Sequence, residues 1–364
     1  MNGRETDSAP PSLVTAWRPA PRGAGHEAVQ AALAHWYRAA AGLADARVDD
    51  FSTPSTGAVN ETFLHTVTFA TEDGPRTLAH VLRPQPKGDT PIPDVDIADQ
   101  ARTLRAMSEA SVVPTPRIFR MEIDARWIGR PFYVMERLEG EPVFDIGLGP
   151  AEPAALHRMF DQAVNALAAI HRIDWRCPGF AHLAARAGER PLFGQVQHYR
   201  RHLEMSAEGK VYPQLSAAIE WLIDHLPADR PPVLNWGDAR VGNLLFAGLD
   251  VSAVLDWEMA HIAPREVDVG WFTFLERFFW VDGGQSRRGG LTAAQMVARY
   301  EAEAGVDLSD LDWFERWAAF RLALMRMRAG RQMIARGERP ASSRIDEVNP
   351  ASVQMARIFG FPDP

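Results

Sequence analysis

The stretch from Asp238 to Asp256 restricts this chain more than any other part of it. After Asn243 comes an apolar run, Leu244 to Phe246, then the turn Ala247-Gly248-Leu249-Asp250, then a second apolar run from Val251 to Leu255 that ends at Asp256. Two short β-prone runs around a glycine-containing turn predict a hairpin. Antiparallel pairing returns the residue that enters the first strand and the residue that leaves the second to the same end, so Asn243 and Asp256 are expected to meet there. Two hard oxygen donors side by side suit Mg²⁺, which takes one or two carboxylates together with nucleotide phosphates and water. Asp238 and Asn243 have the D-x-x-x-x-N spacing of a phosphoryl-transfer loop, which places Asp238 within reach of a substrate hydroxyl. Each residue alone would pass for an ordinary loop side chain; the three in this order around a hairpin carry the argument.

Size and composition set outer limits. At 364 residues the chain exceeds one compact core, so two lobes are expected. Residues 1–25 are rich in Pro, Ser and Gly, lack an apolar signal core and read as a flexible leader. No apolar stretch approaches a membrane span. Cys177 is the single cysteine, which excludes an internal disulfide and fits a reducing cytoplasm. A net charge of −8 argues against a nucleic-acid partner. Neither H-E-x-x-H, paired C-x-x-C, G-x-S-x-G nor G-x-x-x-x-G-K-[ST] occurs, so zinc, hydrolase and P-loop readings have no support.

Along the chain, Val29, Leu33, Trp36 and Ala40 predict an opening helix over 26–43. Strands are expected at 61–69, 76–83 and 132–136, with a helix over about 98–108 between the second and third. From about Ala151 the pattern turns helical, first through His171, then at 215–226, 266–281, 292–304 and 310–336.

The segment Trp236-Gly237-Asp238 to Asn243, followed by Asp256-Trp257-Glu258, resembles the aminoglycoside phosphotransferase-like branch of the protein-kinase-like superfamily, where the loop usually reads H-G-D-x-x-x-x-N and the hairpin ends in D-x-E or D-W-E. It is similar to mycobacterial members of that branch carrying a W-G-D-A-R-V-G-N loop. The likeness runs from about residue 28 to about 335 and is sharpest over 231–272. It implies an α+β, bilobal protein-kinase-like fold: a small antiparallel-sheet lobe for the nucleotide at 26–137, and a mainly helical catalytic and acceptor-binding lobe at 138–364. It also implies transfer of the terminal phosphate of ATP or GTP to the hydroxyl of a small molecule, and it implies no protein partner, nucleic acid or membrane as a requirement. In that scheme Asp238 accepts the hydroxyl proton, Asn243 and Asp256 hold Mg²⁺, and Asp268 braces the loop.

The resemblance assigns further positions, some with departures. Ser52 to Asn60, with Gly57, takes the place of the phosphate-covering loop, and Arg83 that of the lysine that reaches the phosphates. The helix position expected to brace Arg83 holds Gln100 instead of Glu, with Asp96 or Asp99 as substitutes. Backbone near Glu136 and Leu138 corresponds to the hinge that meets adenine. Trp236 stands where relatives carry His, and its indole is expected to fill that space and donate one hydrogen bond. Glu258 supports the metal from outside or contacts the acceptor; His171 is a structural support. Candidate acceptor lining comprises Phe193, His198, Tyr199, Arg200, Trp313, Trp317 and Arg321. There is no dense acidic cluster near the C-terminus to hold a polyamine antibiotic, so sugars, amino alcohols and hydroxyacyl thioesters stand open. Trp236, Gln100 and the glycine-poor phosphate loop motivate the alternative, a nucleotide-binding pseudokinase or regulatory module.

Overall fold

A computed structural model describes residues 25–54, 61–88, 90–92, 95–142, 153–279 and 291–364. Gly57 and residues 1–24 of the expected leader lie outside the described residues.

The chain enters through helix α1 (His26–Ala39), which buries Leu33, Trp36 and Tyr37. Strands β1 (Arg47–Ser52), β2 (Phe63–Thr71) and β3 (Gly74–Pro84) follow, then helix α2 (Ile97–Ala110), β4 (Ile118–Glu122) and β5 (Phe132–Glu136). All neighbours pair antiparallel, in the order β1-β2-β3-β5-β4. The central strands are those expected from periodicity. The two edges, β1 and β4, were not expected: Val48 is the one fully buried residue of β1, and β4 has none. An edge strand that buries so little needs no apolar alternation, so it leaves no period-two signal. Helix α2 starts at an Asp96 cap whose side chain accepts from the amides of Ala98 and Asp99. Beneath α1, the sheet closes a core of Trp36, Tyr37, Phe63, Val67, Leu82, Phe132 and Val134.

After β6 (Glu141–Pro142) the chain becomes mainly helical: α3 (Pro153–His171), α4 (Ala181–Ala187), α5 (Pro191–Ala207) and α6 (Pro213–Asp224). Short strands β7 (Pro232–Asn235), β8 (Leu244–Ala247), β9 (Asp250–Val254) and β10 (His261–Pro264) interrupt the helices, which resume as α7 (Glu266–Arg277), α8 (Ala293–Ala304), α9 (Leu311–Ala335) and α10 (Pro350–Phe359). β7 pairs with β10, and β6 joins the β8–β9 hairpin. Helix α9 is apolar on most sides and runs through the larger core, as expected of a central helix. Helix α7 lies hard against it: a Cβ on Gly270 would come within 2.8 Å of the Phe314 side chain.

Candidate active site

The hairpin forms as the sequence predicts. Leu244 faces Val254, Ala247 faces Asp250, and a bulge falls between Leu245 and Phe246. Gly248 takes the left-handed conformation (φ 66°) that the tight turn demands. Just beyond the open end, the Leu255 amide donates to the Asn243 carbonyl (2.9 Å), fixing the two flanks together. Asn243 closes a 3-10 turn, Val241–Asn243. Asp256 sits in left-handed backbone (φ 59°, ψ 62°), leading into a second turn, Trp257–Met259. A non-glycine residue in that region is held there by its surroundings.

Asp238 is gripped at both carboxylate oxygens. Asn243 Nδ2 donates to Oδ2 (2.6 Å) and to the Asp238 backbone carbonyl (2.9 Å), and Trp271 Nε1 donates to Oδ1 (2.9 Å). Arg240 Nε lies 3.1 Å from Asn243 Oδ1 and 3.5 Å from Asp238 Oδ2. Burial pushes the Asp256 carboxyl above its ordinary value and the charge of Asp238 pushes the same way, while Arg83 and Arg240 oppose them. Its side chain is nevertheless 37% exposed, so water tempers that burial.

Arg83, on β3, faces Tyr133 across the ladder. Its guanidinium donates to Thr62 Oγ1 (2.8 Å) and Glu258 Oε2 (3.2 Å) and comes 3.5 Å from Asp256 Oδ1. The expected partnership with Gln100 is not made. Tyr133, the cross-strand neighbour of Arg83, takes that place instead, donating at the long limit of 3.5 Å to Gln100 Oε1. Asp96 caps α2 and Asp99 pairs with Arg102 and Arg186, so neither substitutes. The acid that balances Arg83 comes instead from Glu258, whose side chain is only 5% exposed. At the end of β5, the Glu136 amide donates to the Arg117 carbonyl (2.9 Å) and its carboxylate pairs with Arg117 Nε (3.0 Å). Leu138 follows, half-buried.

The loop before Asp238 hangs from Asp268. Its two oxygens accept the amides of Trp236 (2.6 Å) and Gly237 (2.9 Å), and His171 Nε2 lies 3.2 Å away. Burial pushes this carboxyl up, but His171, His261 and the Gly237 N–H outweigh it and hold it below its ordinary value. His171 in turn meets Tyr300 (2.6 Å). Gly237 is required on two counts: its φ is +93°, and a Cβ would lie 2.0 Å from the Met259 carbonyl oxygen. Trp236 is fully buried, and its indole donates to the Leu255 carbonyl (2.7 Å), next to Asp256.

Three contributors escaped sequence reasoning. Trp271 falls in the helix expected over 266–281 without a role assigned to it, yet it holds Asp238. Glu276 accepts the Val241 amide (2.7 Å). Arg321, expected only as acceptor lining, stacks on Trp271 (4.4 Å to the ring centroid) and reaches toward the Gly237 carbonyl (3.4 Å). Asp268 and Trp271 are three residues apart and Glu276 is eight beyond Asp268, a helical spacing that puts all three on one face of α7. That spacing was the available signal. Phe193, on α5, is among the exposed large apolar side chains, whereas Trp313 and Trp317 are core.

Residues 50–306 match the model of the phosphotransferase enzyme family. The chain belongs to that family. Its fold recurs in a Ralstonia eutropha JMP134 protein provisionally assigned as an aminoglycoside phosphotransferase (23% identity, 90% of this chain and 95% of that one, TM-score 0.63). It recurs also in the macrolide 2′-phosphotransferase MphH of Brachybacterium faecium (18% identity, 92% and 99% covered, TM-score 0.53). The bilobal kinase-like architecture is therefore that of the family. Among curated proteins, the chain is 28% identical over 226 residues to the probable acyl-CoA dehydrogenase IBR3 of Arabidopsis thaliana, covering 59% of this chain and 26% of that protein. It is 31% identical over 194 residues to acyl-CoA dehydrogenase family member 10 of Mus musculus, covering 52% of this chain and 18% of that one. The matched part of this chain thus spans about a quarter or less of those curated relatives.

Proposed function

We propose that Asp238 is the proton acceptor with which this small-molecule kinase moves the terminal phosphate of ATP onto a substrate hydroxyl. The observation that carries the reading is the grip on Asp238: both of its oxygens are bonded, by Asn243 and Trp271, at the end of the hairpin where Asp256 also lies. Phosphoryl transfer passes through a loose transition state, so positioning and charge neutralisation supply most of the catalysis. A carboxylate oriented in this way accepts the hydroxyl proton as the oxygen attacks.

Asn243 and Asp256 fit a Mg²⁺ ion by donor chemistry: one amide oxygen and one part-exposed carboxylate are the hard ligands that this ion takes together with phosphate oxygens. Bound there, Mg²⁺ would neutralise charge on the nucleotide phosphates. No group of three or more His, Cys, Asp or Glu able to hold a metal is present among the described residues, and an ion shared with a nucleotide needs none. Arg83 is the phosphate-facing cation, poised by Glu258, and backbone near Glu136 and Leu138 receives the base. In this scheme 26–137 is the nucleotide lobe and 138–364 the catalytic and acceptor lobe, with GTP an alternative donor. No helix among the described residues is long and apolar enough to cross a membrane, and we assign the chain to the cytoplasm. The names of the curated relatives add weight to hydroxyacyl thioesters beside sugars and amino alcohols as acceptors.

The test is nucleotide consumption measured against a panel of these hydroxyl compounds and aminoglycosides, followed by Asp238→Ala with whichever acceptor responds. Turnover should fall roughly 10²–10⁴-fold, the usual range for a positioned base. Unchanged turnover refutes the assignment. Metal-dependent ATP binding with no transfer to any acceptor would favour the pseudokinase.

A further inference from the structure

Three buried side-chain atoms in the lobe that carries Asp238 are closed off from solvent and have no hydrogen-bond partner among the described residues: Arg321 Nη1, Trp317 Nε1 and His261 Nε2. They belong to one cluster. Arg321 Nε meets the Tyr199 hydroxyl (3.3 Å), and the Tyr199 ring lies edge-on to Trp317 (5.2 Å between centroids). The guanidinium of Arg321 stacks on Trp271, the residue whose N–H holds Asp238, and its Nη2 faces the carbonyl of Gly237, the residue before Asp238. His261 adjoins them: after burial, Arg321 is the strongest influence on its ring.

The cluster has a definite polarity. Arg321 is 2% exposed, and among the described residues no carboxylate pairs with it. A buried cation without a counter-charge is costly, and an apolar side chain of similar volume would serve packing better. Trp317 Nε1 is a donor only. His261 Nδ1 lies 2.9 Å from the Met259 carbonyl, which can only accept, so Nδ1 carries the proton and Nε2 of the neutral ring is an acceptor. Burial pushes His261 down to about 4, which keeps that ring neutral at pH 7. Two donors, one of them a cation, and one acceptor are therefore without partners among the described residues, in a cluster that Arg321 ties to the loop of Asp238.

We propose that Arg321 and Trp317 Nε1 anchor an anionic group of the acceptor, a carboxylate or a phosphate, while His261 Nε2 accepts from one of its hydroxyls. This rests on the kinase reading of the site. An anion held at Arg321 leaves the rest of the acceptor beside Trp271 and Gly237, from which a hydroxyl reaches Asp238. A planar guanidinium suits both anions, which offer paired oxygens. The same cation repels a polyamine. The three atoms are covered before the acceptor arrives, so its entry parts the side chains around two indoles and changes their fluorescence.

The experiment uses the full chain with ADP and Mg²⁺ and matched probes: glycerate against glyceramide, a glycerol phosphate against glycerol, longer hydroxycarboxylates and hydroxyalkyl phosphates against their neutral counterparts, and kanamycin. Binding is followed by calorimetry and tryptophan fluorescence, and transfer from ATP by steady-state kinetics. The anionic member of at least one pair should bind, or be phosphorylated, about 10- to 100-fold better than its neutral twin, the range for a charged hydrogen-bonded contact. Arg321→Met should abolish that preference by raising the acceptor KM, with the ATP KM held; Arg321→Lys should restore part of it. Preference for the carboxylate or for the phosphate arm decides which anion is meant. Equal use of charged and neutral twins, no binding of any anionic probe, or a kanamycin preference overturns the proposal while leaving the kinase reading intact. Arg321-dependent anion binding without transfer to any probe upholds the site and counts against the kinase reading. A melting shift in Arg321→Met with the anion preference unchanged shows a packing role alone and overturns it too.

Discussion

Trp271 donates its indole N–H to one carboxylate oxygen of Asp238 across 2.9 Å, on the side opposite Asn243. The Asp238 carboxylate therefore owes its orientation to a helix as much as to its own loop. Trp271→Phe keeps the ring and removes the donor. A hydrogen bond to a charged group is worth about 1.5–3 kcal/mol, so kcat should fall roughly 10- to 100-fold with the ATP KM little changed. Steady-state kinetics with a working acceptor decide the matter; a kcat within twofold of the parent would show that Asn243 alone positions Asp238.

Asp268 serves two backbone amides and His171 from a fully buried position. Asp268→Asn supplies one oxygen where two are used and turns an amide donor toward an amide. A drop in stability of about 1–3 kcal/mol is expected, with loss of turnover as the loop relaxes. Urea unfolding measures the first, and an unaltered midpoint would contradict it. The folded carboxyl is depressed below its unfolded value of 3.8, so its contribution is complete above about pH 4 and is lost as pH falls through the folded value.

Glu258 takes the part expected of Gln100, since it is Glu258 that meets Arg83. Glu258→Gln should weaken nucleotide binding by roughly 10-fold, as a charged hydrogen bond becomes a neutral one, whereas Gln100→Ala should change it less than threefold. Calorimetric titration with ADP and Mg²⁺ compares them directly. A larger loss at Gln100 than at Glu258 would reverse the assignment.

Under α1, the Tyr37 hydroxyl bridges His65 Nε2 (2.8 Å) and His80 Nδ1 (2.7 Å). Burial pushes His65 down to about 3, with His80 adding to it, and pushes His80 down to about 4 against the pull of Glu136. Both rings are neutral when folded, while the unfolded chain takes up protons below 6.5. Stability from this pair is thus complete above about pH 6.5 and declines as pH drops toward 4. Thermal melts between pH 8 and 4 should show a plateau and then a fall beginning near 6.5; a flat profile down to pH 4.5 would rule out neutral buried rings.

The hairpin and the two residues that flank it, Asn243 and Asp256, were legible because they are local: a glycine at the turn and apolar runs on both sides settle which ends meet. The strands that bury side chains, β2, β3 and β5, were legible for the same reason; β1 and β4 left no pattern because Val48 is the single fully buried residue between them. Arg83 was assigned the wrong brace since its surroundings are set across strands. Tyr133 blocks the way to Gln100, and nothing near Arg83 in sequence announces an acid 175 positions later. Trp271 was missed because its meaning depends on how α7 lies along the loop, which is a matter of packing.

Gly270 allows α7 to sit so near Phe314 that even a methyl group would not fit between them. The same helix carries Asp268, Trp271 and Glu276, which fasten the loop at Trp236 and Gly237, at Asp238 and at Val241. Any bulk wedged in at Gly270 would tilt all three fastenings at once. The setting of Asp238 can therefore be altered from the far flank of a helix, by a change that touches none of the loop's own residues.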